Sequence, residues 1–123
     1  MGQAARQRSM VNRANYVPER GDVVWIDFSP RRGHEQAHRR PAVVLSPRFY
    51  NQKSGMMVAC PITSKIKRHA FEVELKTKKL NGAVLVDQIR SLDWHARKII
   101  FLEKLSPTFV AEVRECITQL ISE

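Results

Sequence analysis

Eleven consecutive residues, Arg31-Arg32-Gly33-His34-Glu35-Gln36-Ala37-His38-Arg39-Arg40-Pro41, gather four guanidiniums, two imidazoles and one carboxylate. Arginine presents a planar fork of donors that matches the oxygens of a phosphate. Arg40 differs from its neighbours. It precedes Pro41, which biases its backbone to an extended conformation, and it stands where a polar stretch meets the apolar run Ala42-Val43-Val44-Leu45. A guanidinium at the root of a strand is held more rigidly than one at a loop tip, and rigidity is what catalysis needs. Stretches of this composition are also common as solvated basic loops, and the residues alone leave both readings open. Thr63 follows the predicted strand Met56–Ile62. Its hydroxyl could donate to a phosphate oxygen or simply shape a turn.

Other chemistries have less to stand on. His34 and His38 are four apart, a metal-ligand spacing only on a helix, and Gly33 and the surrounding charge argue against one. No metal site and no cofactor is therefore expected. An acid–base pair of those two histidines has no more support than two surface histidines. Cys60 and Cys116 fall on apolar positions and read as small core residues. Two cysteines make no disulfide framework and point to a reducing cytoplasm. Trp25 reads as core or interface, and Trp94, next to His95, as partly exposed. The chain holds no P-loop, GxSxG or HExxH.

The charge is unevenly placed. The net charge is +9: residues 1–20 carry +3, residues 31–48 +4, residues 65–79 +4 and residues 90–104 +2, and the rest of the chain carries −4. Basic loops on a small scaffold suit a polyanion, whether nucleic acid or an acidic protein tail. The longest apolar run is five residues, Met56 to Cys60, far below the roughly 20 of a membrane-spanning helix. No membrane association is expected.

The elements that must position these groups are mostly strands. The 123 residues fit one domain, preceded by a polar, Arg-rich arm over 1–15. Strands are predicted at Val23–Phe28, Ala42–Leu45, Met56–Ile62, Phe71–Leu75, Ala83–Leu92 and Lys98–Leu102 from their β-branched and apolar patterning. Pro47 begins a turn or short helix to about Asn51, closed by Gly55. Asn81-Gly82 reads as a turn. Ser106 as N-cap and Pro107 at the first helical position open an amphipathic helix, with Phe109, Val113, Ile117 and Leu120 along its apolar stripe. Short strands followed by one helix predict a small, strongly curved, barrel-like sheet.

Taken in order, Gly21-Asp22-Val23-Val24-Trp25-Ile26-Asp27-Phe28-Ser29-Pro30, Gly33-His34-Glu35-Gln36, Arg40-Pro41-Ala42-Val43-Val44-Leu45-Ser46, Pro61-Ile62-Thr63 and Asp87-Gln88-Ile89-Arg90-Ser91-Leu92-Asp93 resemble the MazF/PemK toxins of bacterial toxin–antitoxin systems. The resemblance runs from about Tyr16 to the end. It implies a mainly β fold with a C-terminal helix, a small SH3-like barrel of the MazF/PemK/CcdB kind that forms a homodimer. It implies a cytoplasmic, metal-independent endoribonuclease that cuts single-stranded mRNA by attack of the 2′-hydroxyl, leaving a 2′,3′-cyclic phosphate and a 5′-hydroxyl. Arg40 and Thr63 match the family's catalytic pair. Phe28, Glu35, Gln36, Asp87 and Gln88 match the RNA-binding groove, and Glu35 is a candidate for the group that takes the 2′ proton. The implied partner is a MazE-like antitoxin whose acidic, disordered tail fills that groove. The glycine usual shortly after Glu-Gln in the family is absent from Ala37-His38-Arg39-Arg40, which bears on the loop tip and on RNA sequence preference. The alternative is a non-enzymatic toxin of the same fold that poisons DNA gyrase through an aromatic near its C-terminus. The end here, Gln119-Leu120-Ile121-Ser122-Glu123, has none.

Overall fold

Val, Ile and Trp crowd the chain after Gly21, and such residues lose least in extended backbone. They form β1 (Asp22–Asp27) in a computed structural model that describes residues 15–28 and 39–122. The strands that follow are β2 (Arg39–Val44), β3 (Met56–Thr63), β4 (Glu72–Lys76), β5 (Asn81–Leu85), β6 (Arg90–Asp93) and β7 (Ile100–Lys104). They make one curled antiparallel sheet in the order β4-β5-β3-β2-β1-β7, with β6 also paired to β3. This is the mainly β, barrel-like architecture with a C-terminal helix that the sequence implies. The expected basic arm, Asn15 apart, lies outside the described residues.

Strand β3 is the axis of the sheet. On one side it pairs with β2, Ala42 opposite Pro61, Val43 opposite Cys60 and Val44 opposite Ala59. The Leu45 N–H extends that ladder by donating to the Val58 carbonyl at 2.8 Å. On its other side β3 pairs first with β6, Met56 opposite Asp93 through Ala59 opposite Arg90, and then with β5, Ile62 opposite Val84 and Thr63 opposite Ala83.

Side chains alternate across the sheet, and both faces are covered. Val23, Val43, Cys60, Ile62 and Val84 join Val110 and Val113 of the C-terminal helix in one core. Val24, Ile26, Ala42, Val44, Met57, Ala59, Leu92 and Trp94 form the other. Burial on both faces explains why Ala42–Leu45 is an unbroken apolar run rather than an alternation. The helix, Pro107–Ile121, starts as the sequence predicts. Ser106 Oγ accepts the Phe109 N–H at 3.1 Å and Pro107 occupies the first turn.

Three local expectations are corrected. Asn81-Gly82 is not a turn but the start of β5, with Gly82 opposite Leu75. Ala83–Leu92 is not one strand. From Val84 to Arg90 the chain advances six residues while β3 advances three, from Ile62 to Ala59. The surplus, Val86–Gln88, is looped out as a 3-10 turn. The apolar pattern hides this break because Val86 stays buried, its N–H donating to the Phe71 carbonyl at 3.0 Å. Trp94 is buried, its Nε1–H donating to the Asn51 carbonyl at 3.0 Å.

Asn51 lies on the short helix Arg48–Ser54, which runs one turn beyond the expected Asn51 before Gly55 caps it with φ 75°. Its side chain is fully buried. Nδ2 donates to the Pro18 carbonyl at 2.8 Å and to the Ser46 carbonyl at 3.1 Å, and Oδ1 accepts Ser46 Oγ–H at 2.6 Å. Ser46 Oγ in turn accepts the Val58 N–H at 2.8 Å. One amide thus ties the entry segment, the end of β2, β3 and, through its backbone, the turn after β6. Asn51→Ala leaves two buried carbonyls without that donor and should cost about 2–4 kcal/mol. A lowered urea midpoint with unchanged slope checks this, and a shift worth under about 0.5 kcal/mol would refute the role.

Candidate active site

Arg40 is the second residue of β2 and pairs with Ile26 of β1. Its extended backbone is the one its place before Pro41 dictates. Pro41 stands opposite Trp25, at a point where the β2–β3 ladder has yet to begin. Thr63 is the last residue of β3. Antiparallel strands bring the start of β2 to the end of β3. The register that sets Ala42 against Pro61 carries Arg40 and Thr63 to the same end of the pair. Each lies two residues from that facing pair, so the pleat sends both to the face of Ala42 and Ala59.

Phe28 follows β1 at this same end and packs on the core that contains Ala42 and Ala59. The Arg40 Cζ lies 5.9 Å from the centre of its ring. The Arg90 Cζ lies 5.5 Å from it. A guanidinium within about 6 Å of an aromatic face is attracted to the ring's negative centre, so Phe28 limits where each cation can point.

Thr63 is oriented by the chain that follows it. Its Oγ1 accepts the Lys65 N–H at 3.1 Å, the hydrogen bond of a threonine turn. With a lone pair so engaged, the hydroxyl proton remains to be donated outward. Gly82 sets the neighbouring strand. A Cβ on Gly82 would stand 2.1 Å from the Thr63 carbonyl oxygen, well inside contact distance. Glycine is needed there because β5 runs hard against the Thr63 backbone.

After Thr63 the chain enters a basic connection with Lys65, Lys67, Arg68 and His69. One carboxylate organises it. Glu72 Oε1 accepts the N–H groups of Lys67 and Arg68, both at 2.9 Å, and His69 Nε2 lies 3.4 Å from Oε2. Arg68 takes φ 56° and reaches Glu74 at 3.0 Å.

Asp87 and Gln88 are exposed on the looped-out turn. Asp87 lies toward the C-terminal helix, where its charge adds to burial in raising the Cys116 thiol. Burial, then Cys116, then Asp87 push the Cys60 thiol up to about 12. Both cysteines are therefore poor nucleophiles at neutral pH, as their apolar positions suggest.

Within one chain the structure gathers Arg40, Thr63 and Phe28 at one end of the sheet and turns Asp87 to the helix side. Glu35 and Gln36, with His34 and His38, lie outside the described residues. Sequence reasoning did not assign Arg90 or Gly82. Arg90 sits inside the Asp87–Asp93 motif, but its meeting with Phe28 crosses strands and has no local signature. The gathered groups are two permanent cations, a hydroxyl donor and an aromatic ring. That set can bind a phosphodiester and stabilise added negative charge on it.

Residues 19–121 match the model of the PemK-like, MazF-like toxins of type II toxin–antitoxin systems. The endoribonuclease toxin MazF of Escherichia coli K12 is 43% identical over 112 residues, covering 91% of this chain and 99% of that protein. The endoribonuclease toxin ChpB of the same strain is 44% identical over 94 residues, covering 72% of this chain and 78% of that protein. The crystal structure of MazF from Deinococcus radiodurans superposes with a TM-score of 0.77 at 47% identity, covering 86% of this chain and 97% of that one. A MazE–MazF structure from the same organism gives 0.77 at 42% identity, covering 87% and 97%. With the family match over residues 19–121 and this identity to its members, the chain belongs to the PemK-like, MazF-like toxin family of type II toxin–antitoxin systems.

Proposed function

We propose that this protein is an endoribonuclease toxin that cuts single-stranded mRNA in the cytoplasm and so stops translation. The observation that carries the reading is the convergence of Arg40 and Thr63 at one end of the β2–β3 pair, on one face. Its relatives of known name are endoribonuclease toxins.

RNA brings its own nucleophile, the 2′-hydroxyl. A protein that binds the linkage so that this oxygen lies in line with the leaving 5′ oxygen need add little covalent chemistry. Attack forms the bond from the 2′ oxygen to phosphorus, and the bond to the 5′ oxygen breaks. The products are a 2′,3′-cyclic phosphate and a 5′-hydroxyl. Negative charge grows on the non-bridging oxygens on the way. Arg40 holds that charge with its planar fork of donors, and Thr63 donates its O–H to one oxygen. Arg40 cannot accept the 2′ proton, so another group must. Glu35 is the sequence candidate for it. No metal enters this scheme.

The active form in this reading is a homodimer, with Phe28, Glu35, Gln36, Asp87 and Gln88 lining the strand's path. Asp87 and Gln88 stand exposed on the looped-out turn Val86–Gln88. A MazE-like antitoxin would silence the toxin by laying an acidic tail along the same basic surface, as charge complementarity favours.

Arg40→Ala should lower cleavage of a labelled RNA about a hundredfold or more, the usual worth of one such donor. Thr63→Val should fall in the same direction. New 5′-hydroxyl ends, detected by kinase labelling, are the readout. Wild-type rates in a folded Arg40→Ala protein remove Arg40 from the mechanism. A single 2′-deoxyribose at the cut position should block the reaction, and EDTA should leave it intact. Loss in EDTA with recovery in Mg²⁺ contradicts the scheme. Gly82→Ala should cut turnover although it touches neither group, by displacing the Thr63 backbone. Unchanged turnover would show that the strand contact does not set the hydroxyl.

A further inference from the structure

The ring of Phe28 serves two guanidiniums. The two ring distances, 5.9 Å for Arg40 and 5.5 Å for Arg90, keep the guanidinium carbons within about 11 Å of each other. Arg90 opens β6 opposite Ala59, and the pleat puts it on the face of Leu92, which is the face of Ala42 and Ala59. It therefore reaches the ring from β6, whereas Arg40 reaches it from β2, on the other flank of β3. Arg90 is exposed, so nothing in the core requires a charge there. Two like charges held no farther apart than about one Debye length, roughly 10 Å at 0.1 M salt, repel. An anion on each relieves the repulsion.

A nucleic-acid strand supplies anions at the spacing of its linkages, one per nucleotide. Grooves that track single strands combine such cations with an aromatic surface. Arg40 and Thr63 engage the linkage that breaks. Arg90 enters from the opposite flank of β3, so it meets a different phosphate.

We propose that Arg90 binds the phosphate adjacent to the one that Arg40 and Thr63 engage, so that two consecutive linkages are held on either side of the Phe28 ring. This deepens the endoribonuclease reading and rests on it. Arg90 is in this view a binding residue for strand register, and Phe28 is a positioning residue that acts through both guanidiniums.

The test uses the full-length protein and an RNA made uncleavable by 2′-deoxyribose at the mapped cut. Arg90→Gln should weaken binding about tenfold, the worth of one charge-assisted contact, and reduce the slope of log affinity against log salt by about one phosphate's share. Arg90→Lys should restore the slope. Neutral methylphosphonates are then placed one linkage at a time. Wild type should lose affinity at the neighbouring linkage and Arg90→Gln should be indifferent there, while both lose it at the cut linkage. An unchanged salt slope, or indifference of Arg90→Gln at the cut linkage instead, overturns the proposal. Absence of new 5′-hydroxyl ends when the wild-type protein meets cleavable RNA would overturn the endoribonuclease reading instead. The salt slope needs no cleavage, so the two failures are told apart.

Discussion

The antiparallel register between β2 and β3 is the constraint on which the site depends. Side chains in a strand alternate, so a slip of one residue would send Arg40 to the helix-covered face and Ala42 away from its partners. The sequence prevents the slip by burying both faces. Val43 belongs to one core and Ala42 and Val44 to the other, so a displaced register would lose contacts on both. The far end of the pair is pinned as well. Ser46 Oγ accepts the Val58 N–H and is itself held by Asn51. The end of the ladder that carries Arg40 and Thr63 is thus fixed from its opposite end, by a polar knot around Asn51.

Small residues decide how close the strands come at the site. Ala42 and Ala59 lie on paired strands within the core against which Phe28 packs, and Gly82 lets β5 run against the Thr63 carbonyl. The ring can then rest low on the sheet, where two arginines from different strands reach it. Rigidity follows from this layering. Arginine has many rotamers to lose, and an aromatic face with a fixed strand root removes part of that freedom before substrate arrives.

Much of this was legible in the sequence, and the reasons for the rest are physical. Arg40 announces itself because proline fixes the backbone before it and an apolar run fixes the strand after it. The C-terminal helix announces itself through Ser106, Pro107 and a stripe of apolar residues. Thr63 is marked only by its place at the end of an apolar stretch, which a turn-forming threonine shares, and the family motif adds the catalytic role. The Asn81-Gly82 pair has the composition of a turn, but Gly82 is there for a close approach between strands, which no local pattern encodes. The 3-10 turn at Val86–Gln88 is hidden for a related reason. Its buried Val86 preserves the apolar pattern, and the three surplus residues become visible only when β5 and β6 are counted against β3. The Phe28 contacts with Arg40 and Arg90 join residues 12 and 62 positions apart, a separation that periodicity does not address.

A site this sparse suits its proposed reaction. Hydrolases that must generate a nucleophile need a base, a partner to orient it and an enclosed cavity. RNA cleavage through the 2′-hydroxyl asks for less, because substrate geometry already places nucleophile and phosphorus on one ribose. What remains is to hold the strand in the reactive geometry and to neutralise developing charge. Fixed cations and one hydroxyl at a sheet end do both. The same economy explains how such an enzyme is restrained. In the proposed reading, an acidic polypeptide laid on the basic surface competes directly with the phosphates. Tight control must then come from binding affinity, to which electrostatic complementarity and burial both contribute.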